Sequence, residues 1–121
     1  ISVKDHGDAF RTVESGRAVA FFIDDALLAG ERAKAKKPAD WVIVGTPQSF
    51  EAYGCMVRKG DAPFKKLVDG TIAELQLSGE AEKSYERWFK QPIPPKGMNM
   101  NFDMSDEMKN LFKAPNDKAL N

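Results

Sequence analysis

Ala18-Val19-Ala20-Phe21-Phe22-Ile23-Asp24-Asp25-Ala26-Leu27-Leu28-Ala29-Gly30-Glu31-Arg32-Ala33 is the stretch on which the fold turns. Its first six residues are too short a run, and too evenly apolar, for a surface helix. They suit a buried strand. The residues from Ala26 on read as a helix. The aspartate pair sits at the junction, which is the carboxyl end of the expected strand. Open α/β sheets take ligands just outside that end of their strands. Asp25 directly precedes the periodic segment and is the expected N-cap. That leaves Asp24 to face a ligand.

The same junction occurs once more upstream. Ile1-Ser2-Val3-Lys4 reads as a short strand, and Asp5-His6-Gly7-Asp8 follows it before another helical segment. That segment starts at Gly7 or Asp8, carries Phe10 and Val13, and ends at Gly16 as a C-cap. The single histidine of the chain, His6, therefore occupies the same kind of place as Asp24. Downstream of the first stretch, Lys34, Lys36 and Lys37 complement the carboxyl end of the second helix before Pro38. Trp41-Val42-Ile43-Val44-Gly45 is a further short strand, Thr46–Ser49 a loop, and Glu51–Val57 extended again with Gly54 inside it. Strands and helices alternating at this length indicate an α/β fold with a largely parallel sheet.

From Asp61 the pattern becomes helical. Asp61 caps, Pro63 fits the first turn, and Phe64, Leu67, Val68, Ile72 and Leu75 recur at helical spacing. Ser78-Gly79 breaks that helix and starts the next, which carries Ala81, Tyr85, Trp88 and Phe89 on an apolar side. Pro92-Ile93-Pro94-Pro95 forces an extended connector. Met98, Met100 and Phe102 alternate with asparagines in a strand-like segment. Ser105 caps a last helix with Met108, Leu111 and Phe112, Pro115 stops it, and the final residues are expected to fray.

Composition narrows the function classes. The 121 residues allow one modest core. Their formal charge balances to zero, which favours neither nucleic acid nor an anionic membrane as partner. No apolar run approaches the roughly 20 residues of a spanning helix. The one cysteine, Cys55, makes no intrachain disulfide and reads as a small buried hydrophobe. The methionines near residues 98–104 read as packing, the lysines at 34–37 as a solvated helix end, and Trp88 and Phe89 as core. No cofactor is expected.

Several motifs carry a family resemblance. They are Lys4-Asp5-His6-Gly7-Asp8, Glu14-Ser15-Gly16-Arg17-Ala18-Val19-Ala20-Phe21, Asp24-Asp25-Ala26-Leu27-Leu28-Ala29-Gly30, Tyr53-Gly54-Cys55-Met56-Val57-Arg58-Lys59 and Pro92-Ile93-Pro94-Pro95-Lys96. With the Tyr85-x-x-Trp88-Phe89 pattern, they make the chain resemble the second half of bacterial periplasmic solute-binding proteins for polar amino acids. Within that group the likeness is to glutamate/aspartate-binding components of ABC transporters. The resemblance implies part of a two-lobe, type II binding-protein fold, incomplete in this chain, with an amino acid clamped between lobes. It implies that residues 1–50 form the later part of the second lobe, 51–58 the return crossover, and 59–121 the C-terminal helical part of the first lobe. A missing N-terminal half would then supply the groups that hold the ligand's α-carboxylate. The implied partners are glutamate or aspartate, the transporter's membrane subunits, and either the missing half or another copy of the chain. The implied location is the periplasm.

The residues and the resemblance meet at His6 and Asp24. A dicarboxylic amino acid presents one ammonium and two carboxylates. Asp24 suits the ammonium through charge-assisted hydrogen bonds, and His6 suits the side-chain carboxylate as a donor. By spacing alone, an aspartate before a helix is most often only a cap, and a lone histidine is most often a turn residue. Two other classes compete. An enzyme, dehydratase-like within the same fold, would use His6, Asp24 and Asp5 or Asp8 as acid–base groups or Cys55 as nucleophile. No G-x-S-x-G elbow or metal-ligand spacing supports it. A sensory ligand-binding module would be followed by a membrane span, whereas residues 115–121 read as a polar end.

Overall fold

The computed structural model describes residues 1–119. They form five α-helices: α1 (His6–Glu14), α2 (Asp25–Lys34), α3 (Ala62–Leu77), α4 (Glu80–Tyr85) and α5 (Asp106–Lys113). A 3-10 turn at Pro38–Asp40 and a π-helical turn at Glu86–Lys90 complete the regular structure. The chain divides into two compact units. One comprises Ile1–Val44 with Trp88–Phe102, and the other comprises Gly45–Arg87 with the residues from Asp103 on.

In the first unit, α1 packs on α2, and α2 on the 3-10 turn. Asp5 caps α1 by accepting the Asp8 N–H at 2.8 Å. At the other end the Gly16 N–H donates to the Val13 carbonyl at 2.9 Å and the Arg17 N–H to Thr12 at 3.1 Å. Gly16 takes a φ of 71° to allow this Schellman arrangement. Ala29 and Thr12 are the buried residues of this unit. Thr12 is satisfied there, its hydroxyl donating to the Asp8 carbonyl at 2.8 Å. Phe10 meets Trp41 edge-on, with centroids 5.0 Å apart.

In the second unit, α3 packs on both α4 and α5. Asp61 caps α3 through the Phe64 N–H at 3.1 Å, and Ser105 caps α5 through the Met108 N–H at 3.1 Å. Gly79, at φ 81°, makes the break between α3 and α4. Tyr85 and Met104 are buried. Lys65 binds Asp69 at 2.5 Å and Asp117 at 2.6 Å. The two carboxylates, Asp117 first, hold the lysine charged above its ordinary range.

The expected α/β architecture is not what the described residues form. They contain no strand, only an isolated antiparallel bridge between Ile93 and Met98. The five expected strands, at 1–4, 18–23, 41–45, 51–57 and 98–102, run as irregular chain. The reason lies in pairing. A strand exists through hydrogen bonds to a neighbour, and a parallel strand needs cover on both faces. Residues 41–44 keep the alternation of a strand, with Trp41 and Ile43 turned inward and Val42 and Val44 exposed. One apolar face is covered and the other is bare. Val19 and Phe22 in the 18–23 run are exposed likewise, Phe22 by 81%.

Other expectations shift in detail. Cys55 is exposed, since 51–57 forms no strand and buries almost nothing. Trp88 is nearly half exposed, while Phe89 is half-buried against Phe102. The expected fraying of the chain end falls partly on residues 120 and 121, which lie outside the described residues. No large side chain among the described residues is fully buried. The exposed apolar set also includes Phe64, Leu67 and Leu75 along α3. Apolar surface of this extent drives association. The isolated 121-residue chain is therefore expected to self-associate with rising concentration and to bind the dye ANS. A monodisperse monomer by light scattering at high concentration, without dye binding, would contradict this.

Candidate functional site

Each of the two residues singled out by the sequence opens a helix of the first unit. His6 is the first residue of α1, directly after the Asp5 cap. Asp5 is extended, with φ −156° and ψ 173°, and its carbonyl accepts the Ala9 N–H at 3.0 Å. That geometry leaves the His6 side chain exposed at the rim of the first turn. Its ring lies 6.4 Å from Phe21, tilted by 40°. Phe21 belongs to the run that leads into α2, three residues before Asp24. An extended span of that length covers about 10 Å. The ring contact thus ties the start of α1 to the approach of α2.

The structure corrects the expected division of labour between the two aspartates by one residue. Asp24, not Asp25, holds the cap position of α2, with φ −51° and ψ 138°. It does so through its backbone, the carbonyl accepting the Leu28 N–H at 2.9 Å. Its side chain makes no cap hydrogen bond. Asp25 is the first helical residue, and its carboxylate accepts the Ala26 N–H at 2.7 Å. Of the pair, Asp25 is the one that serves the helix start with its side chain. Both are exposed. A carboxylate at a helix N-terminus is favoured by the dipole whichever task it has.

Asp8, in the first turn of α1, is the most strongly engaged carboxylate near His6. Arg11 donates to it, and Lys4 lies 3.5 Å from its other oxygen. The hydrogen bond from the Arg11 guanidinium holds the Asp8 carboxyl below its ordinary range, helped by the charge of Lys4 and opposed by partial burial. Arg11 is held correspondingly firmly in its charged form. Lys4, Asp8, Arg11 and Arg17 line an open recess of about 440 Å³ beside Ile1 and Val3. Neither His6 nor Asp24 lines it. Sequence reasoning had no signal for this recess, because Arg11 and Arg17 meet at it only through the Schellman turn at Gly16.

Chemically, the helix starts offer acceptors at Asp24 and a donor or acceptor at His6. Among the described residues no three His, Cys, Asp or Glu side chains come together in a way that would hold a metal ion. No helix of the described residues is long and apolar enough to cross a membrane.

Against curated proteins, all 121 residues align at 76% identity with a glutamate/aspartate import solute-binding protein of Salmonella typhimurium. The chain is homologous along its whole length to such proteins. The Escherichia coli protein of the same description is 75% identical over 121 residues. An L-glutamate/L-aspartate-binding protein of Pseudomonas aeruginosa is 67% identical over 119 residues, or 98% of the chain. The chain spans about two fifths of the length of these relatives, 40% of the first two and 39% of the third. No family model matches.

The Asp8–Arg11 pair yields a test by titration. Because its carboxyl is held low in the folded chain, Asp8 contributes stability that is present above the unfolded value of about 3.9. That contribution is lost as pH falls through the lower folded value. Replacing Arg11→Ala should move the Asp8 midpoint up toward the ordinary carboxylate value, read from its side-chain carboxyl carbon by NMR. A midpoint that stays where it was would show that Arg11 is not the cause.

Proposed function

We propose that this chain carries part of the binding site of a periplasmic solute-binding protein, one that takes up L-glutamate or L-aspartate and delivers it to an ABC importer. The observation that carries this reading is identity of 76% sustained over the entire chain to a glutamate/aspartate import solute-binding protein. In this reading the chain supplies the later part of one lobe, the return crossover at residues 51–58 and the C-terminal helices of the other lobe. The remaining length supplies strands for the bare apolar faces of 18–23 and 41–44, and donors for the ligand's α-carboxylate. The membrane subunits of the importer are the macromolecular partner. The role is binding without turnover.

Asp24 accepts the ligand's ammonium in this scheme, and His6 donates to its side-chain carboxylate. Their placement supports the pairing: both sit at starts of helices packed on each other, and the Phe21 ring contact draws their segments together.

Calorimetric titration tests the scheme in a protein of the relatives' full length that contains this sequence. Glutamate and aspartate should bind, and glutamine should bind more weakly. Asp24→Asn should cost about 2–5 kcal/mol of affinity. Asp25→Asn should cost little, since asparagine serves helix starts as well as aspartate does. His6→Ala should weaken glutamate and aspartate more than glutamine. Loss of binding in the Asp25 variant alone would reverse the assignment of the pair, and unchanged selectivity in His6→Ala would remove that residue from the site.

A further inference from the structure

The segment between the π-helical turn and α5 is a loop closed on itself. The Phe102 N–H donates to the Phe89 carbonyl at 3.1 Å, so its two ends are one hydrogen bond apart. The rings of Phe89 and Phe102 pair at 6.2 Å beside that bond. Inside it, Ile93 N–H reaches the Met98 carbonyl at 2.7 Å, Gly97 N–H the Ile93 carbonyl at 2.9 Å, and the Asn99 amide the Lys90 carbonyl at 3.0 Å. This is the build of an Ω-loop, a compact piece whose own side chains fill it.

Its far side docks on α2. The Arg32 guanidinium donates to the Met100 carbonyl at 3.2 Å in a partly buried contact. Two residues earlier in α2, the Met100 methyl lies 3.7 Å from where a Cβ on Gly30 would stand. Gly30 thus gives the methionine its seat, and Arg32 latches the backbone beside it. Both belong to the helix whose first turn carries Asp24.

We propose that residues 89–102 act as a strap on α2, and that Arg32 is a positioning residue for the ligand site. It acts on Asp24 through the placement of α2. This rests on the reading of Asp24 as the ammonium acceptor. When the strap is latched, α2 is held in the ligand-ready position. When Arg32 lets go of Met100, the strap parts from α2 and the bound amino acid is released faster.

The test uses the full-length protein with this sequence. Stopped-flow measurement of glutamate release should show a rise of about tenfold in Arg32→Ala, the scale of a lost hydrogen bond to a charged group. Arg32→Lys should recover part of that change, because an ammonium can still donate to the carbonyl. Lys34→Ala, on the same helix but paired with Glu31, should leave the rate unchanged. Hydrogen exchange gives a readout that needs no ligand: amides 98–102 should exchange faster in Arg32→Ala, with Ala62–Leu77 unaffected. An unchanged release rate together with unchanged exchange at 98–102 overturns the strap. Failure of the unaltered protein to bind glutamate or aspartate overturns the site reading instead, and the exchange result then decides the strap by itself.

Discussion

An extended segment with apolar side chains on both faces needs two neighbours, and every other property of this chain follows from how far that need is met. Trp41 finds α1, with Phe10 against the indole, and Ile43 is half-buried. Val42 and Val44 find none among the described residues and stand exposed. The run from Ala18 to Ile23 is in the same position. Backbone groups in such segments go unladdered for the same reason, because a ladder requires a second strand in register. The helices carry no such dependence. Each closes its own hydrogen bonds and needs only caps and one packed face. The result is a chain whose helices are well formed and whose strand-forming segments are not.

That asymmetry decides what the sequence alone could reveal. Caps are local, and most were legible: Asp61 for α3, Ser105 for α5, and the glycines at 16 and 79 as terminators, while α1 begins at His6 under an Asp5 cap rather than at Gly7 or Asp8. Strands are relational, and their apolar pattern says what they would do in a sheet without saying whether a sheet is at hand. Cys55 follows the same logic. Its burial was inferred from a strand that the described residues do not assemble, and it is exposed.

The candidate site was legible as positions more than as geometry. Two junctions of extended chain with helix pointed to His6 and Asp24, and both residues do open helices that pack together. The choice between Asp24 and Asp25 as cap was one residue out, since a cap is made by the backbone carbonyl and φ/ψ as much as by a side chain. The contact of His6 with Phe21 could not be read at all. It depends on a tertiary approach between segments fifteen residues apart, for which spacing carries no signal. The closed loop from Phe89 to Phe102 was foreseen only as an extended proline connector followed by a strand-like run. Its closure depends on the Phe89 carbonyl and the Phe102 amide meeting across the intervening chain.

The exposed thiol at Cys55 makes the chain a ready-made spectroscopic host. It is the sole cysteine of the sequence, and it lies in irregular chain beside the exposed Tyr53 and Met56. A maleimide dye or nitroxide would therefore attach at one known place without any engineered residue. The stretch from Glu51 to Val57 carries few packing contacts to restrain such a label. Its emission or line shape would report when neighbouring polypeptide closes over this stretch.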